Sequence, residues 1–209
     1  RMWPLMNARD LVGAVYLPRD GQTDPTDTTL ALAKGAQMGG ATVVEQVTVT
    51  GIHHQSGRVT GVATTHGDVQ AETVVNCAGM WAQQLGALCG VNVPLHAAEH
   101  FYIVTAPIDG LPTDLPVLRD PDSWTYFKGE AGAVLAGFFE PDAKPWGMDG
   151  IPDEFEFATL AEDWDHLEPA FKKMMHRVPI LEETGVHTFF NGPESFTPDD
   201  SYHIGEAPE

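Results

Sequence analysis

Thr73-Val74-Val75-Asn76-Cys77-Ala78-Gly79-Met80-Trp81-Ala82 decides the fold class. Three β-branched residues read as a short apolar strand, small residues follow, and Trp81 to Leu88 reads as a helix closed by Gly90. In open α/β sheets ligands sit at the carboxyl ends of strands, where small residues let a phosphate or a ring approach the backbone. The same junction also arises where glycine serves only helix–strand packing. No G-x-G-x-x-G occurs in the chain, so a complete dinucleotide fold does not follow from this stretch alone.

Working outward, Leu11 to Leu17 reads as a strand ended by Pro18-Arg19-Asp20-Gly21. Asp24-Pro25-Thr26-Asp27 starts a helix carrying Leu30, Ala33 and Ala36, which stops at Gly39-Gly40. Between Ala41 and Asn76 the pattern is β: Val43, Val47, Val49 and Ile52, the turn Gln55-Ser56-Gly57, then Val59 and Val62, the turn His66-Gly67-Asp68, and finally Thr73-Val74-Val75. A three-stranded meander leading into a short apolar strand is expected. Pro94 marks a crossing between domains. Beyond it Phe101 to Thr105, Trp124 to Lys128 and Ala133 to Phe139 are β-like. Phe157 to Arg177 is expected to be helical, with a capping box at Thr159 and Glu162. Leu160, Trp164, Leu167, Phe171 and Met174 would form its core face, and Pro169 would divide it in two.

The apolar share of 43% and charged share of 20% are those of a globular chain. No run approaches the roughly 20 apolar residues that span a bilayer. The opening Arg1-Met2-Trp3-Pro4 resembles neither a signal peptide nor a natural N-terminus. A net charge of −19 repels phosphate backbones and anionic lipid, so neither nucleic acid nor membrane is an expected partner. Two cysteines, Cys77 and Cys89, make no disulfide framework and favour a reducing compartment.

His96-Ala97-Ala98-Glu99-His100 matches the H-x-x-E-H string of some zinc proteases. That chemistry needs a helix, and the strand-like Phe101 to Val104 directly behind argues against one. His100 and Tyr126 fall on β-like segments of the second half, where each would ordinarily be structural. Cys77 reads as a small buried filler.

Taken in order, Asp20-Gly21 with Asp24-Pro25, Val49-Thr50-Gly51-Ile52, the run VVNCAGMWA from Val74 to Ala82, and Val93-Pro94-Leu95 resemble the D-amino-acid oxidase-like flavoproteins. Glu99 to Thr105, Leu118-Arg119-Asp120-Pro121-Asp122, Asn191 to Asp199 and Gly205-Glu206-Ala207-Pro208-Glu209 narrow the resemblance to the sarcosine and dimethylglycine dehydrogenases. It covers nearly the whole chain.

The resemblance implies an α/β (α+β) protein, with part of a Rossmann-like FAD domain and a meander, followed by an antiparallel-sheet substrate domain flanked by helices. Residues 1–93 would be the later portion of the FAD domain, with a leading substrate-domain strand near 11–17. Residues 94–190 would bind substrate, and 191–209 would return toward the FAD domain. The family's glycine-rich phosphate loop, flavin-attaching histidine and C-terminal flavin loop are not in these residues. The FAD site would therefore be incomplete, the isolated chain weak in binding FAD, and exposed edges prone to self-association. The resemblance further implies that Val49, Ala78, Gly79 and Trp81 meet FAD and that His100 and Tyr126 are catalytic. The reaction would be oxidation of an N-methyl amino acid, with tetrahydrofolate in a separate C-terminal domain as a possible one-carbon acceptor. The electron acceptor, oxygen or an electron-transfer flavoprotein, is left open. The compartment would be cytoplasm in a bacterium or mitochondrial matrix in a eukaryote. A regulatory subunit of pyruvate dehydrogenase phosphatase is similar too, including an NGPE-type segment, so a non-catalytic regulator is the alternative.

Overall fold

Capping and turn residues set the elements of the first unit. The structure is a computed structural model that describes residues 2–139 and 141–207. Arg1 of the opening and Pro208 and Glu209 of the closing run lie outside the described residues. The chain forms two compact units. One comprises Thr23–Ala98, Pro145–Glu154 and Glu194–Glu209, and the other Arg1–Gln22, Glu99–Lys144 and Phe155–Pro193.

In the first unit, helix α1 (Pro25–Met38) starts where Asp24 accepts the backbone N–H of Asp27 at 2.8 Å, with proline at the first helical position. It ends at Gly39 and Gly40, the latter at φ +94°. Strands β1 (Val49–Gln55), β2 (Arg58–Thr64) and β3 (Val69–Gln70) form the expected antiparallel meander in the order β1-β2-β3. Ser56 and Gly57 make the first turn with φ of +51° and +75°, the left-handed pair that matches the twist of a tight hairpin. A 3₁₀ turn, Gly79–Trp81, leads into α2 (Ala82–Ala87). Val43 and Val47 fall before β1 instead of within it. Thr73-Val74-Val75, expected as a strand, pairs with no other strand among the described residues, and Val75 is 75% exposed. Strand identity is a pairing state, so apolar β-branched residues alone did not create one here.

Strand β4 (His96–Thr105) runs from the first unit into the second. In the second unit it pairs antiparallel with β7 (Ala133–Phe138), which pairs with β6 (Thr125–Glu130), which in turn pairs with the edge strand β5 (Leu118–Asp120). Short β8 (Pro145–Trp146) continues the sheet beside Ala97 and Ala98. After helix α3 (Trp164–Arg177), strand β9 (Val186–Phe196) also pairs with β4. Leu11 to Leu17, expected as a strand, makes no ladder among the described residues and leaves Val12, Val15, Tyr16 and Leu17 exposed.

Alternation sorts this sheet's side chains. Phe101 and Ile103 of β4, Phe127 of β6, and Val134, Ala136 and Phe138 of β7 point into one core with Leu167, Ala170 and Met174 of α3. Burying each large side chain fully is worth about 1.5–3 kcal/mol. Trp3 joins this core, donating its indole N–H to the carbonyl of Pro116 at 2.6 Å and meeting Phe127 edge-on.

Helix α3 departs from expectation at three points. Its cap is Asp163, which accepts the His166 N–H at 3.0 Å, so Thr159 and Glu162 form no capping box and Phe157 to Glu162 are not helical. Pro169 sits inside one continuous helix. An interior proline costs about 3 kcal/mol or more, and the buried face of Leu167, Ala170 and Met174 around it offsets that cost. Trp164, expected in the core, is 41% exposed, with its ring edge against Phe189.

The helix ends on a buried ionic clamp. Arg177, 5% exposed, donates to Asp120 at 2.7 Å and Asp10 at 2.9 Å, and its carbonyl accepts the Asn7 N–H. Burial raises the Asp120 pKa, but the Arg177 hydrogen bond and charge, with help from Ser123, outweigh this and hold it below the ordinary carboxylate range. Asp120→Ala should therefore cost about 1.5–3 kcal/mol in urea denaturation, because it removes a buried charged hydrogen bond while Arg177 keeps Asp10 and the Asn7 carbonyl. Since the folded pKa is depressed, the charged carboxylate's contribution is present above the unfolded value of about 3.9. It is lost as pH falls through the folded pKa, so wild type and Asp120→Asn should converge in stability only at strongly acid pH. An unchanged urea midpoint for Asp120→Ala would show the clamp to be idle.

Candidate functional site

The sheet face opposite the α3 core carries His100 of β4, Tyr126 of β6, Arg119 of β5 and, just after β7, Phe139. His100 Nε2 and the Tyr126 hydroxyl share a hydrogen bond at 3.3 Å. The His100 ring stacks on Phe139 at 4.5 Å between centroids, and Tyr126 lies 5.6 Å from the same ring. The Arg119 guanidinium sits over Phe139 at 5.6 Å, and Arg119 faces Tyr126 directly in the ladder. His100 is only 9% exposed, and burial pushes its pKa down to about 4, so the imidazole is neutral at neutral pH. The arrangement is an aromatic wall with one neutral imidazole, one phenol and a cation at its rim.

Tyr126 reaches His100 across β7, and the residue it passes over is Gly137, its ladder partner. Arg119 falls in the family-like run Leu118 to Asp122, but the sequence marks neither it nor Gly137 as a site residue. A glycine inside the apolar run Ala133 to Phe139 was the available signal, since strand glycines often mark close approach by another group.

In the first unit, Val49 opens β1 opposite Thr64. Asn76 organises the loop that follows: its side-chain amide donates to the Ala82 carbonyl at 2.9 Å and its oxygen accepts the Ala78 N–H at 3.2 Å. The Ala78 carbonyl accepts the Trp81 N–H at 3.0 Å. Gly79 adopts φ +54°, and a Cβ built there would meet no atom within 4 Å. This is an open, unhindered backbone of the kind a nucleotide can approach, and Trp81 beside it is 39% exposed. Ala78, Gly79 and Trp81 thus lie together at one turn organised by Asn76. Cys77, expected to be buried, is exposed in that same loop, because the stretch around it joins no sheet.

The H-x-x-E-H string lies along β4. On a strand His96 and His100 share one face and Glu99 takes the other. There Glu99 accepts from the Asn191 side chain at 2.8 Å and pairs with Lys144 at 3.3 Å. Among the described residues no group of three or more His, Cys, Asp or Glu side chains could hold a metal ion. A cleft of about 350 Å³ in the first unit is lined by Met80, Gln84, His96, Met148 and Ile151 among others, but by none of the expected site residues.

Comparison with known proteins gives these positions a family. Human mitochondrial sarcosine dehydrogenase is 42% identical over 213 aligned residues, covering 100% of this chain and 23% of that protein. The mouse mitochondrial pyruvate dehydrogenase phosphatase regulatory subunit is 39% identical, covering 98% of this chain and 24% of that protein. The chain thus spans about a quarter of the length of these curated relatives. The crystal structure of L-proline dehydrogenase from P. horikoshii superposes with a TM-score of 0.83 at 22% identity, over 99% of this chain and 53% of that one, which establishes the fold. The family profile described as FAD dependent oxidoreductase matches residues 1–209, and the chain belongs to that family.

Proposed function

We propose that this chain is part of an FAD-dependent amine dehydrogenase or oxidase acting on the CH–NH bond of an N-methyl amino acid, sarcosine or dimethylglycine. One observation carries the reading: the hydrogen-bonded His100–Tyr126 pair on the sheet face opposite the α3 core, in a chain of the FAD-dependent oxidoreductases. We assign residues 1–93 to the later portion of the FAD domain, with the leading stretch near 11–17 belonging to the substrate domain, 94–190 to the substrate domain and 191–209 to the return segment; the grouping of the residues up to Gln22 with Glu99–Lys144 supports that exception. Val49, Ala78, Gly79 and Trp81 would hold part of FAD, which when bound supplies the two-electron acceptor for the oxidation.

The side chains then act on the amine. Only the neutral amine has the lone pair that assists loss of a hydride equivalent from the N-methyl carbon. The burial that pushes His100 down to about 4 also disfavours an ammonium brought against it, so the neutral amine gains relative to the cation. An imidazole with so low a pKa is a weak proton acceptor at neutral pH, which favours this role over direct abstraction. The Tyr126 hydroxyl would orient the His100 ring or the substrate carboxylate, and Arg119 would attract that carboxylate. The product is an imine, hydrolysed to formaldehyde and the demethylated amine. Tetrahydrofolate is a candidate acceptor for that carbon, and the mitochondrial matrix is the compartment expected in a eukaryote. No helix among the described residues is long and apolar enough to cross a membrane.

The 39% identity to a phosphatase regulatory subunit favours a second reading, a non-catalytic regulator. Turnover of sarcosine or dimethylglycine by the full-length, flavin-loaded protein separates the two, and no turnover of either would sink the enzymatic reading. In that protein His100→Ala should slow flavin reduction at neutral pH about tenfold for each unit by which the bound amine's pKa rises, with the loss shrinking as pH rises and solvent deprotonates the amine. Wild-type reduction rates at neutral pH would leave His100 a structural residue. Tyr126→Phe should mainly raise the apparent substrate dissociation constant in the same stopped-flow assay. By NMR, His100 should titrate near 4, well below the ordinary histidine value of about 6.5. A His100 titration near 6.5 would remove the desolvation argument. The 209-residue chain alone should purify colourless, because it carries no glycine-rich phosphate loop.

A further inference from the structure

We propose that Gly137 is a positioning residue for the site: its missing side chain is what lets the Tyr126 ring lie across β7 and bring its hydroxyl to His100. This rests on the assignment of His100 and Tyr126 as the working pair.

The argument is one of reach. Tyr126 is on β6 and His100 on β4, and β7 runs between them. Adjacent strands lie about 4.8 Å apart, so the two backbones are separated by roughly 9.6 Å. Side chains standing upright at that separation would not meet. A 3.3 Å contact between Nε2 and the phenol therefore requires one ring to lean over the intervening strand. Tyr126 does so, at the level of its ladder partner Gly137. A Cβ at position 137 would lie 2.7 Å from Tyr126 Cε1 and closer still to Cζ and the hydroxyl oxygen. Real carbon atoms do not approach so closely, so something must move.

What moves is decided by stiffness. The atoms in the way are the far end of a side chain that turns about two bonds, whereas β7 is hydrogen-bonded on both sides. A methyl group at 137 should therefore leave the sheet standing and swing Tyr126 away from His100. Gly137 is not at a positive φ, so alanine is compatible with the backbone there. It would even be the better strand residue if Tyr126 were absent.

The test is a double-mutant cycle in the full-length, flavin-loaded protein, using Gly137→Ala and Tyr126→Ala. With Tyr126 present, Gly137→Ala should lower kcat/KM about 10²-fold, the scale of an ångström-sized misplacement. It should also lower Tm and raise the His100 NMR titration from about 4 toward the solvent value. With Tyr126→Ala as the background, the same substitution should change kcat/KM by less than about twofold and leave Tm equal or higher. Folding only in the Tyr126→Ala background would support the steric coupling as well. Equal losses in both backgrounds, misfolding in both, or wild-type behaviour of Gly137→Ala would each overturn the inference. If Tyr126→Ala leaves turnover intact while the Tm and titration couplings persist, the functional reading fails and the positioning role of Gly137 stands.

Discussion

The two-residue period of the antiparallel sheet β5-β6-β7-β4 is the constraint on which the second unit depends. It commits alternate side chains to opposite faces, so Phe101, Ile103, Phe127, Val134, Ala136 and Phe138 cannot enter the α3 core without sending their neighbours outward. Those neighbours include His100, Tyr126 and Gly137. Slippage of any one strand by a single residue would exchange core for site. The large hydrophobic gain on one face thereby holds a polar arrangement on the other that could not hold itself, since one 3.3 Å hydrogen bond between a phenol and an imidazole is worth only about 1 kcal/mol net.

Two polar networks hold this unit where apolar packing does not reach. Arg177 gathers the early segment through Asp10 and the Asn7 carbonyl, and the sheet edge through Asp120. Asn191 of β9 donates both to Glu99 of β4 and to the Ala161 carbonyl, while Leu160 N–H returns to the Asn191 carbonyl. Both networks tie residues far apart in sequence. They pair the buried charges of Glu99, Asp120 and Arg177 and the Asn191 amide N–H, which would otherwise carry an uncompensated desolvation cost, while the Asn191 Oδ1 stays buried without a hydrogen-bond partner among the described residues. Glu99 and His100 are neighbours in the chain with opposite fates, one locking the fold from its face and the other presented on the opposite face.

The chemistry proposed follows from dryness more than from charge. A chain with net charge −19 would bind cations readily at its surface, yet the proposed site is an aromatic wall around a neutral imidazole. In the proposed reading, the desolvation that keeps His100 neutral also favours the uncharged form of an amine beside it, the form whose lone pair assists loss of a hydride equivalent. Arg119 at the rim gives the positive counterpart that an amino acid's carboxylate would need.

Local chemistry was legible from the residues themselves. Asp24-Pro25 started a helix, Gln55-Ser56-Gly57 turned a hairpin, and β-like runs marked β4, β6 and β7, because capping, turn dihedrals and the clustering of apolar and aromatic residues are properties of a few consecutive residues. The family resemblance also implied a pairing of roles for His100 and Tyr126, and the sheet brings the two within 3.3 Å. What failed needed partners. Val74 and Leu11 to Leu17 were apolar enough for strands but found no ladder among the described residues, Pro169 was absorbed by a helix whose buried face outweighed it, and Trp164 and Cys77 were left exposed. Gly137 illustrates the division most clearly. The residue is plain in the sequence, but its meaning lies in a ring arriving from position 126, and only the pairing of β6 with β7 decides which ring meets which glycine.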